Sequence, residues 1–479
     1  MNNSSYLHIQ RCLDDAIFDR ISEVLSAEKV EGYLIGGYVR DWILQREHPE
    51  KDIDIVVIGN GIDIARKVAF SLSPKIKVTR FKNFGTAMFK YRNYEIEFVG
   101  ARKESYSKDS RNPVVEKGTL RDDQLRRDFT INALAISLNK KDYGEFLDPF
   151  NGLNDLNACI IKTPLAPDKT FSDDPLRMMR AVRFATQLGF NIEETTFSSI
   201  KENAARISIV SGERIVGEFN KILMSPAPSS GIRLMYESGL LFNFFPELHN
   251  LKGVDIKNDF AHKDNFDHTL QVVDNISKST DNIYLRWAAL LHDIAKPVTK
   301  RYQDGTGWTF HSHEFVGSKM VVDIFKRLKL PLNDRMKYVK KLVALHLRPI
   351  SLSGSEITDA AIRRLLFDAG DDIEDLMLLC KADITSKNEK RVKQHIKNFE
   401  IVSAKLAEIE ERDHIRNFQP PIDGEEIIRT FGISPGKEVG IIKSAIKEAI
   451  LEGEITNDYE SARELMIKKA KELDLDPVD

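Results

Sequence analysis

LIGGYVRDWILQREHPEKDIDIVVI, residues 34–58, reads as strand, turn, helix, loop and strand. The apolar run Tyr33-Leu34-Ile35 leads into Gly36-Gly37, then a helical segment from Tyr38 to Leu44 carries Arg40 and Asp41. A glycine pair between strand and helix lets backbone approach a ligand closely, and the helix N-terminus offers free N–H groups to an anion. Arg40, one turn in, adds a positive fork suited to phosphate. Asp52 and Asp54 stand two apart in the β-branched run that ends at Ile58, so their side chains share one face of a strand. Adjacent carboxylates repel unless a cation joins them, and Mg²⁺ takes such oxygens together with substrate phosphates. Taken singly, Gly-Gly is often only a turn and Asp-x-Asp a solvated strand end. Together, in this order, they sketch a triphosphate held beside a carboxylate-bound metal.

The whole stretch resembles the signature of the polymerase-β-like nucleotidyltransferase superfamily, and GGYVRD resembles its tRNA nucleotidyltransferase and bacterial poly(A) polymerase branch. The resemblance implies Asp52 and Asp54 as catalytic metal ligands and Gly36, Gly37 and Arg40 as nucleotide-binding residues.

Composition sets bounds. A chain of 479 residues, 42% apolar and 30% charged, fits a soluble protein of roughly two to four domains. A net charge of −3 neither favours nor excludes nucleic acid, because local clusters matter more than the sum. Cys12, Cys159 and Cys380 lie far apart and form no metal or redox motif, as expected in a reducing compartment. No signal-peptide pattern opens the chain and no apolar run spans a bilayer, so a cytoplasmic protein without membrane contact is expected. Neither a protein partner nor an oligomeric state can be deduced.

Outside the opening stretch, an amphipathic helix is expected over residues 6–28 and another over Ile62–Leu72. Strands are expected at Lys75–Arg80, Thr86–Tyr91 and Tyr94–Val99. Glu97 is either a third acidic group for the aspartates or an exposed strand carboxylate. Residues 102–126 read as a long charged loop beside the site. In RRDFTINALAI, Asp128 is expected to cap a helix with Ile131, Leu134 and Ala135 on its apolar face.

FSDDPLRMMRAVRFA, residues 171–185, reads as a helix capped by Asp173 or Asp174, with Pro175 in its first turn and Arg177, Arg180 and Arg183 in a drifting stripe. Such a stripe is usually a solvated face. An Asp accepts from an amino group and an Arg donates to a ring nitrogen or carbonyl, so a pair of them suits the Watson–Crick edge of cytosine or adenine.

These later stretches extend the resemblance over about residues 33–245. It implies that Arg127 contacts the nucleotide and that FLDPFNGLNDL from Phe146 is a structural turn and hinge. It implies that Asp174 and Arg177 read the base, as in class II CCA-adding enzymes, with Arg180 and Arg183 also holding the nucleotide. The motif there is usually EDxxR; Asp173 replaces the Glu and keeps its charge. The segment Arg206–Phe219 resembles a helix-stabilising neck motif.

A second pattern lies in residues 260–390, which hold six of the chain's 11 histidines. His268, the adjacent pair His292-Asp293, His313, His346 and Asp383 suit Mn²⁺, Fe²⁺, Ni²⁺ or Zn²⁺, ions that activate water for hydrolysis. WAALLHDIAK is expected to be one helix. The segment resembles the HD metal-dependent phosphohydrolase domain, with ligands at His268, His292, Asp293 and Asp383, and His313 and His346 available for a second ion. The alternative is a metal-free HD scaffold. The tail is helical and charged, and the turn before Lys437 is either a phosphate site or a plain link between helices.

The expected architecture is α+β: a mixed α/β nucleotidyltransferase head (1–165), then an all-α neck (166–250), HD domain (251–395) and tail (396–479). The expected function is template-independent addition of C, C and A to the tRNA 3′ end, from CTP and ATP with Mg²⁺, releasing pyrophosphate. The resemblance implies that CC-adding members lack a working version of the loop before Arg126, so its retention favours complete addition over CC-only addition. The rivals are an A-adding or CC-adding enzyme, a poly(A) polymerase, an HD phosphohydrolase whose head only binds, and a non-catalytic RNA-binding protein.

Overall fold

Asp15 starts helix α1 (Ala16–Glu28): its side chain accepts from the Ile17 N–H at 3.0 Å. That cap shortens the helix expected over 6–28, whose first residues lie outside those described. The computed structural model describes residues 11–46, 51–81, 85–107, 110–257, 260–261, 264–352, 358–385, 389–416 and 418–478. Strand β1 (Gly32–Ile35), helix α2 (Gly37–Ile43), strand β2 (Lys51–Val57) and helix α3 (Gly61–Leu72) follow as the sequence predicts. Next come β3 (Thr79–Phe81), β4 (Thr86–Tyr91) and β5 (Tyr94–Gly100). Strand β3 is short because Lys75 to Val78 do not pair.

The charged stretch after Ala101 is not a loop. It forms a two-stranded ribbon, β6 (Arg102–Ser107) with β7 (Ser110–Lys117), then helix α4 (Leu120–Leu125). Thr119 and Asp122 close that helix with a reciprocal capping box. Polar composition hid the ribbon, since cross-strand backbone bonds do not need apolar side chains.

RRDFTINALAI is not a helix either. Thr130–Asn132 make one 3₁₀ turn, and Ala135–Ser137 form β8, antiparallel to β1. The apolar run from Ala133 to Leu138 is buried on every side, so no periodicity distinguishes strand from helix there. Strand β9 (Phe146–Leu147) completes a seven-stranded sheet in the order β3-β4-β5-β2-β1-β8-β9. Among the described residues only β2 and β5 pair in parallel within it. Tyr33, Ile35, Val56, Ala101 and Ala135 form a core cluster, while Ile17, Phe18, Ile21 and Leu25 of α1 are buried.

Helix α5 (Gly152–Asn157) is anchored by Asp148, which accepts from the N–H groups of Gly152 (2.7 Å) and Leu153 (2.9 Å). Helices α6 (Pro167–Asp173) and α7 (Leu176–Leu188) meet at Asp174, whose Oδ1 accepts from Leu176 N–H at 3.2 Å; Pro175 sits at the cap, before the first turn. Further on, Gly212–Leu223 forms helix α8.

The chain divides into two compact units, Met1–Pro246 and Glu247–Asp479. The second is helical, with Trp287 and Phe325 edge to face in its core. Its helix Ile283–Leu291 stops before the His-Asp pair, so His292 and Asp293 stand at a helix end and not within a longer helix. Tail helices Gly424–Phe431 and Lys437–Glu452 flank a turn in which Gly432 adopts φ 60°.

A side chain at Gly152 would have no room: its Cβ would lie 2.4 Å from the Thr130 carbonyl oxygen. Gly152→Ala is expected to lower stability by about 1–3 kcal/mol. Gly217→Ala, at an exposed helical site with nothing within 4 Å, should instead be neutral or stabilising. Urea midpoints of the two variants check this, and equal midpoints would remove the packing argument.

Candidate functional site

The parallel register of β2 and β5 sets Asp52 opposite Glu95 and Asp54 opposite Glu97. Asp52 is exposed and Asp54 half-buried on the same strand face. Burial pushes the Asp54 carboxyl up; Arg127 partly offsets this and Asp52 adds to it. Glu97 is also raised, by burial and then by Asp54. Of its two sequence readings, the structure favours the third acidic group. The like charge of Asp52 acts on Asp54 and that of Asp54 acts on Glu97, and a hard divalent cation would relieve both repulsions.

Gly36, at φ 91°, sits under this cluster. A Cβ there would lie 2.8 Å from Arg127 Nη1 and 3.3 Å from Asp54 Oδ2. The glycine therefore lets a cation and a carboxylate close over the backbone. Arg40 takes another place than its sequence reading implied. It is 6% exposed, donates from Nη1 to Asn132 Oδ1 at 2.6 Å and from Nε to Asp41 at 2.7 Å, and so braces the Thr130 turn from beneath.

Asp54 and Glu97 form one wall of a cleft of about 620 Å³, whose other lining includes Arg127, Asp174, Arg177 and Arg180. Each opposing group is held in place. Buried Asp123 of the capped helix α4 accepts from Arg126 Nε at 2.8 Å and from Arg127 Nε at 3.4 Å. Arg177 donates to the Arg126 carbonyl at 2.6 Å, and Asp174 accepts from Arg214 at 3.3 Å. Arg180 donates twice to Asp128 Oδ2, at 2.6 and 2.7 Å. Arg183 is turned into the protein, bonded to Glu218 and to Gln187 (3.0 Å) with its guanidinium 3.9 Å from the Phe184 ring. Asp123, Asn132 and Arg214 were not singled out from sequence; the capping pattern around Thr119 was the one local signal for the first.

In the second unit, two groups of side chains can hold a metal: His268, His292 and Asp383, and Asp293, His313 and His346. Asp293 links them, with Oδ2 3.3 Å from His292 Nε2 and Oδ1 3.2 Å from His313 Nε2. His292, His313 and His346 pair Nδ1 with the carbonyls of Ala289, Phe310 and Val343 at 2.7–2.8 Å. In the neutral ring those bonds place the proton on Nδ1 and leave Nε2 as the acceptor. Among the described residues all three Nε2 atoms are buried without a hydrogen-bond partner, the condition of a metal ligand. Burial opposes charge on His292, but Asp293 and Asp383 outweigh it and lift its pKa to about 10; burial and then His292 push His346 down to about 4. Lys296, three residues after Asp293, reaches its Oδ2 at 2.6 Å.

Residues 32–162 match the family described as Poly A polymerase head domain, 189–252 the probable RNA and SrmB-binding site of polymerase A, and 265–388 the HD domain. These head and HD types generally use divalent metals. The chain is 31% identical over 353 residues to the A-adding tRNA nucleotidyltransferase of Deinococcus radiodurans, covering 71% of this chain and 78% of that protein. It is 27% identical over 451 residues to a CCA-adding enzyme of Geobacillus sp., covering 94% and 96%. The Thermotoga maritima CCA-adding enzyme complexed with tRNA shares the fold, with a TM-score of 0.60 at 22% identity over 98% of each chain. Among the described residues no helix is long and apolar enough to cross a membrane.

Burial raises the Asp128 pKa, but Arg180 and Asn132 outweigh it and bring it down to about 2. A depressed carboxyl contributes stability above its unfolded pKa of about 3.9 and loses it as pH falls. Arg180→Met should destabilise the protein near neutral pH by about 2–3 kcal/mol, moderated because Arg180 is partly exposed. The difference from wild type should narrow as pH falls from about 4, be roughly halfway through its last stage near pH 2, where folded wild-type Asp128 is half protonated, and be least below that. Denaturation across pH measures this; a pH-independent difference would dissociate Arg180 from the Asp128 charge.

Proposed function

The chain belongs to the tRNA nucleotidyltransferase family, and on that premise we propose that it adds C, C and A to the tRNA 3′ end, using CTP and ATP and releasing pyrophosphate. The observation that carries the reading is one cleft with Asp54 and Glu97 on one wall and Arg127, Asp174, Arg177 and Arg180 among its other lining. The terminal 3′-hydroxyl oxygen bonds to the α-phosphorus, the bond to the bridging oxygen breaks, and the hydroxyl loses its proton. Mg²⁺ ions held by Asp52 and Asp54 would supply Lewis-acid activation and neutralise the triphosphate. Arg127 and Arg180, oriented by Asp123 and Asp128, donate to the nucleotide. Gly36 and Gly37 keep the backbone below them slender, and Arg40 and Arg183 support the site from behind. Asp174 accepts from the exocyclic amino group and Arg177 donates to the ring edge, a pairing cytosine and adenine satisfy and uracil does not.

In this reading residues 1–165 are the catalytic head, 166–250 the neck, 251–395 the HD domain and 396–479 a tRNA-binding tail. A-only addition is the second reading, favoured by the identity to the Deinococcus protein. The HD residues, with a transition metal such as Mn²⁺ or Ni²⁺, are proposed to hydrolyse a phosphate at a damaged or processed RNA end.

Purified protein is offered tRNAs ending before CCA, after C and after CC, each with single nucleotides. Extension of all three supports CCA addition; extension only after CC supports the A-adding reading. Asp52→Ala and Asp54→Ala should each lower addition by roughly 10²–10³-fold or more, while His292→Ala with Asp293→Ala spares it and abolishes metal-dependent phosphatase activity. A folded Asp54→Ala enzyme that still adds nucleotides would overturn the metal assignment, and a wild type that neither binds metal nor hydrolyses phosphate would leave the HD domain as scaffold.

Asp174→Ala and Arg177→Ala should lower the preference for CTP and ATP over UTP and GTP by about tenfold or more, with smaller change in triphosphate affinity. Unchanged selectivity in both variants would remove the base-reading role.

A further inference from the structure

From Ile64 to Tyr94 the chain carries eight Lys or Arg and no Asp or Glu, in a protein whose net charge is −3. The fold gathers most of these cations at one edge of the sheet. Strand β3 is the outermost strand, paired with β4, and all three of its residues are exposed. Arg66, Lys67 and Phe70 of α3 and Arg80 of β3 line a cavity of about 600 Å³, whose one acidic lining residue among the described residues is Asp63 at the start of α3. Lys75 and Lys77 are exposed on the segment that joins α3 to β3.

Two further observations point to a ligand. Lys67 pairs with Glu28, but Arg66, Lys75, Lys77 and Arg80 make no ion pair among the described residues. Phe70 is 70% exposed beside them, a large apolar ring kept in water. Cations along an edge strand also deter strand-to-strand aggregation, but that purpose needs neither the ring nor the cavity. Phe81, next to Arg80 and 41% exposed, lines the catalytic cleft, so cleft and cavity flank the same edge strand.

Unneutralised cations around an exposed aromatic ring are the elements of single-strand recognition: phosphates release counterions on the cations, and a base stacks on the ring. We propose that the β3 edge is a second nucleic-acid surface that holds a single-stranded RNA segment, with phosphates on Arg66, Lys77 and Arg80 and one unstacked base on Phe70. Duplex RNA fits less well, because its bases are already stacked and cannot reach the ring.

The test uses the full chain, a fluorescein-labelled uridylate dodecamer and anisotropy over a range of KCl, with no nucleotide present, so it does not depend on the reaction assigned to the cleft. The triple variant Arg66→Ala, Lys77→Ala, Arg80→Ala should bind about tenfold more weakly at about 0.1 M salt, with a log–log salt slope shallower by about 2. Phe70→Ala should weaken binding about fivefold and leave the slope unchanged. All the positions are exposed, and circular dichroism checks that the variants fold. Wild-type affinity in the triple variant overturns the proposal. So does tighter wild-type binding to a blunt duplex of equal length. Loss of binding to phosphatidylserine vesicles with RNA binding retained overturns it in favour of a membrane surface.

Discussion

The buried carboxylate of Asp128 is the joint on which the first unit depends. A charge at 7% exposure is costly unless every lone pair is met, and here both oxygens are engaged. Oδ1 accepts from Phe129 N–H and Asn132 Nδ2 at 2.9 Å, and Oδ2 accepts from Arg180. Asn132 passes the constraint on: its side-chain oxygen takes Arg40 and its carbonyl takes Arg127 at 3.4 Å. The ring of Phe184 adds a second tie, with Arg40, Arg180 and Arg183 at 5.0, 5.4 and 3.9 Å from its centre. Three elements distant in sequence, α2, the Thr130 turn and α7, are thereby locked together. The cleft arginines come ready oriented, which spares the ordering entropy a flexible side chain would lose on binding.

The second unit uses the opposite arrangement. There the Nε2 atoms of His292, His313 and His346 are buried without a hydrogen-bond partner among the described residues. Backbone carbonyls hold the histidine Nδ1 atoms, and the Nε2 atoms converge around Asp293. Asp293 and Asp383 draw a proton to His292 and lift its pKa, the place that a cation would otherwise take between them. Ending Ile283–Leu291 just before His292 is what frees these side chains to face one point.

Local signals failed where long-range contacts decide. The segment from Ala133 is a strand because β1 offers it a partner across about a hundred residues, with Leu34 opposite Ile136. The charged run after Ala101 is a ribbon for a different reason, two adjacent segments pairing locally through backbone bonds that its polar composition did not signal. Arg40 and Arg127 look alike in sequence, each an arginine before or beside an aspartate. The fold turns one beneath the site and the other into it.

Sequence by itself determined the family and the α+β order, and it named the residues expected at both centres: Gly36-Gly37, Asp52 with Asp54, Asp174 with Arg177, and the histidine set around His292-Asp293. These were legible because strand periodicity and short motifs are encoded within a few residues. Tertiary structure alone decided that Glu97 joins Asp54, through the register of a parallel strand pair formed across 43 positions of chain. It alone decided that Arg180 binds Asp128, that Arg183 is spent on Glu218, and that Asp293 links two triads. A side chain's charge is written locally, but its partner is chosen by packing, and only the partner determines whether that charge faces substrate or holds the fold.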